Sequence, residues 1–111
     1  MPTEIKNIIQ DFIQKVKIVL GNRVKKIILY GSYARGDFNK SSNIDIMILT
    51  DLNEKELESY RNKIYNIAYD IESENNFEIE LSPLIKNIDK YNARVNIVPF
   101  YTNVQKEGII L

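Results

Sequence analysis

Cysteine, histidine and tryptophan are all absent from this chain of 111 residues. Without cysteine there is no disulfide framework, thiol nucleophile or zinc–thiolate site. Without histidine there is no imidazole base and no Ser–His pair. Any catalysis must rest on Asp, Glu, Lys, Arg, Tyr, Ser or Thr, with a hard metal held by carboxylates as the natural companion. Glycine and proline are scarce, at four and three residues, and no linker or low-complexity tract divides the chain. Charge of one sign is lacking too. With 15 basic and 15 acidic side chains the formal net charge is zero, so the chain as a whole is not drawn to nucleic acid or anionic membrane. No run approaches the roughly 18 apolar residues of a transmembrane helix. Met1-Pro2-Thr3-Glu4-Ile5-Lys6 lacks the basic and apolar regions of a signal peptide. A cytoplasmic location is therefore the default expectation.

The composition that remains, 44% apolar and 27% charged, is that of a globular protein, and residues 1–111 read as one domain with a modest core. Ile5, Ile8, Ile9, Phe12, Ile13, Val16, Val19 and Leu20 recur at helical spacing, which predicts a helix over 4–20 with Thr3 as N-cap and Gly21 at its end. Val24 to Tyr30 is a short β-branched run stopping at Gly31, and predicts a strand inside a sheet. In a second strand, 43–49, Ile44, Ile46 and Ile48 point one way and Asn43, Asp45, Met47 and Leu49 the other. A helix over about 54–72, capped by Asp51 or Asn53, carries an inner stripe of Leu57, Tyr60, Ile64, Ile67, Ala68 and Ile71. After the Asn75-Asn76 turn, 77–85 predicts a third strand with Glu78, Glu80 and Ser82 on one face. A helical turn at 89–93, a Pro99-initiated helix through Lys106 and an extended Ile109-Ile110-Leu111 complete the reading. The order, α-β-(short α)-β-α-β and then small elements, implies an α+β fold: an α/β sandwich with helices against a mixed sheet.

The stretch from Ile28 to Ile48 carries the chemistry. A buried strand ends in Gly31-Ser32, a short helical turn follows, and a polar loop leads into the next strand. Gly31 lets a ligand approach the backbone with no Cβ in the way. Ser32 opens a helical turn whose free N–H groups and hydroxyl suit a phosphate, and Arg35 one turn later adds positive charge. Asp45, with Asn43 two residues earlier, points to one face at the mouth of the second strand, and Glu80 and Glu78 offer further carboxylates. An anion cradle beside oxygen ligands is what two-metal phosphoryl chemistry needs. Taken singly, each of these residues also has a structural explanation. Gly31 can end a strand, Ser32 can cap a turn, and Glu78 and Glu80 can lie on an ordinary polar strand face.

Gly31-Ser32, ten intervening residues and then Asn43-Ile44-Asp45 resembles the mark of the DNA polymerase beta-like nucleotidyltransferase superfamily: Gly-Ser, ten residues, Asp-x-Asp. Arg35-Gly36, Ser42 before the acidic pair, Leu81-Ser82-Pro83 and the ending from Pro99-Phe100-Tyr101 through Glu107-Gly108 resemble its minimal, stand-alone branch. The resemblance implies transfer of AMP from ATP to a hydroxyl, with Gly31, Ser32, Arg35 and Ser42 binding the nucleoside triphosphate. It implies a two-metal Mg²⁺ site on Asn43, Asp45 and Glu80, with Glu78 as substitute for Glu80 and with Asp45 and Glu80 catalytic. It further implies a helical HEPN-domain partner encoded nearby, in a toxin–antitoxin module, with a tyrosine of that toxin as acceptor. Neither a membrane nor nucleic acid is an expected partner.

One residue departs from the pattern. The family's first acidic ligand falls on Asn43, which offers an oxygen but no charge. At an effective dielectric near 20, losing a unit charge about 4 Å from another changes their interaction by ~4 kcal/mol before screening, so weaker Mg²⁺ binding is the expected direction. Two functions follow. One is an adenylyl-transferring antitoxin. The other is a catalytically impaired antitoxin that silences its partner by docking, through apolar and aromatic candidates such as Tyr65, Tyr69, Phe100 and Tyr101.

Overall fold

The apolar spacing of the first 20 residues folds as a helix, α1 (Thr3–Leu20), that buries Ile5, Ile8, Ile9, Phe12, Ile13, Val16 and Leu20. The structure is a computed structural model and describes residues 1–111. Pro2, not Thr3, takes the N-cap. Thr3 is already helical, and the Lys6 N–H donates to the Pro2 carbonyl at 3.1 Å. Gly21 ends the helix at φ +57°, a conformation most side chains avoid, and a single 3₁₀ turn leads into β1 (Val24–Tyr30).

Three further strands join it: β2 (Ile44–Thr50), β3 (Leu81–Asn87) and the short β4 (Ile109–Ile110). Their order in the sheet is β3-β2-β1-β4. β1 runs antiparallel to β2 and β4, while β2 and β3 are parallel, so the sheet is mixed, as expected. Parallel neighbours need a crossover, and α3 (Glu54–Glu74) supplies it. Asn53 opens α3 with a reciprocal capping box. Its side chain accepts from the Glu56 N–H at 2.9 Å, and Glu56 accepts from the Asn53 N–H at 3.2 Å.

Strand alternation then sorts the core into two layers. Ile44, Ile46 and Ile48 face α1 and α3, packing with Phe12, Leu29, Ile64 and Ile71. Met47 and Leu49 face the other side, where Ile28 and Tyr30 meet Tyr91 of α4 (Ile88–Arg94) and Val104 of α5 (Pro99–Glu107). Each fully buried Ile stabilises the fold by about 1.5–3 kcal/mol, so a one-residue slip of β2, which would turn Asp45 into the main core, is strongly disfavoured. The face of Asp45 is thereby fixed.

The third strand differs from expectation. α3 continues two residues beyond Glu72, Asn76 and Phe77 both sit at φ +56°, and β3 begins only at Leu81. The Phe77 N–H returns to the Glu72 carbonyl (2.8 Å) and the Glu78 N–H to the Asn75 carbonyl (3.1 Å), so this stretch closes the helix instead of entering the sheet. Glu78 therefore lies in an exposed turn, and Glu80 is the residue just before β3.

Candidate active site

β1 ends at Tyr30, and the chain turns through Gly31 at φ +77°, ψ −158°, a region open essentially only to glycine. Ser32–Arg35 form one helical turn, α2, closed by Gly36 in the left-handed conformation. Asp45 lies opposite Tyr30 across the antiparallel pair. Its carboxylate rests directly over the Gly31 Cα, in the space a Cβ would take. Gly31 and Asp45 thus meet at one spot, with Ser32 next in the chain. The spacing in the sequence predicted this juxtaposition, and the β1–β2 register creates it.

Asp45 is half-buried, and that burial raises its carboxyl above the ordinary value. The Arg35 guanidinium pulls it back down, and a second carboxylate, Glu107, pushes it up. The Tyr30 phenol beside it is pushed up to about 12, first by burial and then by the Asp45 charge, so it stays protonated at neutral pH. Asn43 is held by its amide, which donates to the Ser82 hydroxyl at 3.1 Å. The opposite edge of its carboxamide, the oxygen, remains as an acceptor. The Glu80 carbonyl accepts from the Ile44 N–H at 2.8 Å, which brings the Glu80 backbone alongside Asn43. The Glu80 side chain is exposed and lines a shallow cleft with Tyr69, Glu72, Phe77 and Ile79.

Two of the expected phosphate ligands have partners within the protein. The Ser42 hydroxyl accepts from the Asn39 N–H at 2.9 Å and braces the loop before β2. The Arg35 guanidinium donates to Asp37 at 3.2 Å and to Glu107 at 3.0 Å, and these bonds, Glu107 first, raise its already high pKa. Ser32, half-buried, is the first residue of α2 and follows the Gly31 turn directly.

Glu107 is the site residue that sequence reasoning missed. At the last position of α5 it accepts from the Gly31 N–H (3.1 Å) with one oxygen and from Arg35 with the other. Gly108 makes the approach possible: a Cβ there would collide with the Val104 carbonyl and the Ile28 side chain. A signal was present. An acid at a helix C-terminus opposes the helix dipole and calls for a cation elsewhere in the fold, here Arg35.

No group of three acidic side chains is assembled to hold a metal. Mg²⁺ is ordinarily held by one or two carboxylates together with substrate phosphates, not by an all-protein cage, and the half-buried Asp45 carboxylate fits that pattern.

The chain matches the nucleotidyltransferase domain family over residues 5–108. Among curated proteins it is similar to two chains of Methanocaldococcus jannaschii named as protein adenylyltransferases. MJ0604 is 30% identical over 103 residues, which are 93% of each chain. MJ0141 is 33% identical over 82 residues, covering 74% of this chain and 79% of the relative. Among solved structures, the fold is similar to a chain in a mutant crystal structure of the toxin–antitoxin MntA-HpeT. The TM-score is 0.50 and the identity 17%, over 88% of this chain and 68% of the other.

Proposed function

Because the chain belongs to the nucleotidyltransferase domain family, we propose that it transfers AMP from ATP to a protein hydroxyl, a tyrosine of a HEPN-type toxin partner, and so serves as that partner's antitoxin. The observation that carries this reading is the Asp45 carboxylate lying against Gly31, one residue from the Ser32 hydroxyl. In this reading Gly31 leaves room for the triphosphate, Ser32 donates to its oxygens, and Arg35 exchanges a carboxylate partner for phosphate. Ser42 contributes by holding the loop and through its own O–H. The acidic side chains Asp45 and Glu80 help to deprotonate the acceptor hydroxyl. Asp45, the Asn43 carboxamide oxygen and Glu80 would hold Mg²⁺. When bound, such an ion offsets negative charge developing on the phosphoryl oxygens. The adenylyltransferase names of the relatives support the choice of AMP, and the assembly of the structural neighbour supports a toxin as acceptor.

Two observations favour a second reading, silencing by docking alone. Asn43 contributes no charge, and the surface carries exposed Tyr65, Tyr69 and Phe100, whereas Tyr101 packs on Tyr91. The test is to incubate the protein with α-labelled ATP, Mg²⁺ and the product of the neighbouring gene. Label on a tyrosine of that partner supports transfer. No label from wild type, with label after Asn43→Asp, establishes docking alone. No label from either protein overturns the transfer reading.

A further inference from the structure

At the end of the sheet away from Asp45, four cations converge. Arg61 of α3, Lys86 of β3, and Lys90 and Arg94 of α4 line one cleft of about 200 Å³. Its single carboxylate, Glu54, is already paired with Lys90 at 2.6 Å. Lys90 first, then Arg61 and Lys86, hold the Glu54 carboxyl below its ordinary value, so all three fields reach the same point. Four cations less one carboxylate leave three positive charges in the cleft of a chain whose net charge is zero. Arg61, Lys86 and Arg94 form no ion pair, and the one bond Arg94 makes is a long 3.4 Å contact to the Lys90 carbonyl. Arg61 and Lys86 are half-buried. Like charges drawn partly out of water without a counter-ion are costly unless an anion joins them.

The position is distinct from the Asp45 seat. Ser82 pairs with Asp45 and Lys86 with Leu49, four residues further along the strands, or about 13 Å at ~3.3 Å per residue. The four cations line one concavity, which favours a compact ligand over a polymer. Two guanidinium forks from different helices suit a tetrahedral, multiply charged oxyanion, which each can grip with two parallel N–H bonds. We propose that this cleft is a second ligand site, taking a compact polyvalent phosphate of pyrophosphate size between Arg61, Lys86 and Arg94. It does not depend on the transfer reaction.

Calorimetric titration of the full chain with pyrophosphate, in magnesium-free buffer of low ionic strength, tests the assignment. Wild type is expected to bind in the sub-millimolar range, Arg61→Gln/Arg94→Gln about tenfold or more weaker, and Lys17→Gln, which removes an exposed cation of α1 outside the cleft, within about twofold of wild type. Lys86→Gln provides an independent variant, expected to weaken binding severalfold, should the double variant lose its folded circular-dichroism spectrum. No heat at about 10 mM pyrophosphate overturns the proposal. So does binding that Ser32→Ala abolishes and the cleft variants leave intact. Tighter binding of an acidic peptide than of pyrophosphate also overturns it, in favour of a protein partner.

Discussion

Replacing Gly31 by Ala places a methyl group where the Asp45 carboxylate now lies. Two costs follow. The backbone at φ +77°, ψ −158° strains any residue with a Cβ by about 1–3 kcal/mol. The new methyl also stands 3.2 Å from Asp45 Cγ and 3.4 Å from its Cβ, with a carboxylate oxygen closer still. Asp45 must rotate as a whole, adding about 0.5–1.5 kcal/mol of rotamer strain. The sum is a loss of about 1.5–4.5 kcal/mol. Gly36→Ala is the control. Its φ of +88° is also positive, but it lies in the milder left-handed well with nothing within 4 Å of the added methyl, so about 1 kcal/mol is expected. Urea denaturation of both variants, and of Gly31→Ala in an Asp45→Ala background, separates the two costs. In that background Gly31→Ala is expected to cost about 1 kcal/mol less, because the collision has gone. ATP binding should be lost with Gly31→Ala and kept with Gly36→Ala. Equal losses for the two glycines, with additivity within ~0.5 kcal/mol in the cycle, would refute the placement of Asp45 over Gly31.

Two further outcomes follow from charges around the same strands. Glu107→Gln keeps an acceptor for the Gly31 N–H but removes one of the two carboxylates that neutralise Arg35. Mg-ATP should bind about threefold to tenfold tighter by calorimetry, with under ~1 kcal/mol change in stability because the pair is part-exposed; weaker binding would mean the charge itself is required. Arg23 bridges Asp51 and Glu56, and its hydrogen bonds are the main cause holding both carboxyls below their ordinary values. A depressed folded-state pKa gives stabilisation that is complete above the unfolded value of about 4 and lost as pH falls through the folded one. Urea midpoints of wild type and Arg23→Met should therefore differ at pH 7 and draw together as the pH falls below about 4. A gap that widens in acid would contradict the ion-pair account.

What was legible in the sequence was local or periodic. The Ile44-Asp45-Ile46 alternation gave both the strand and the face on which Asp45 stands, and Gly31-Ser32 marked the turn that receives it. Phe77-Glu78-Ile79-Glu80 has the same alternation but is no strand. Positive φ at Asn76 and Phe77 and hydrogen bonds back to the end of α3 outweigh the period-two pattern. Thr3 yielded the cap to Pro2 because the helix begins at Thr3, two residues before the apolar stripe opens at Ile5. Glu107 and the Arg61–Lys86–Arg94 cleft were beyond local reading. Glu107 reaches Gly31 across 76 positions, and Arg61 of α3 joins Lys86, Lys90 and Arg94 only once the sheet is ordered, so neither charge cluster is complete along the chain.

Gly31 and the carboxylate that accepts its N–H are 76 positions apart. During synthesis, β1, α2 and β2 can therefore be complete long before α5 arrives, and until then the Gly31 amide and the Arg35 guanidinium face solvent without Glu107. A ribosome-bound chain of that length would present an open anion seat, and α5, on emerging, would cap it.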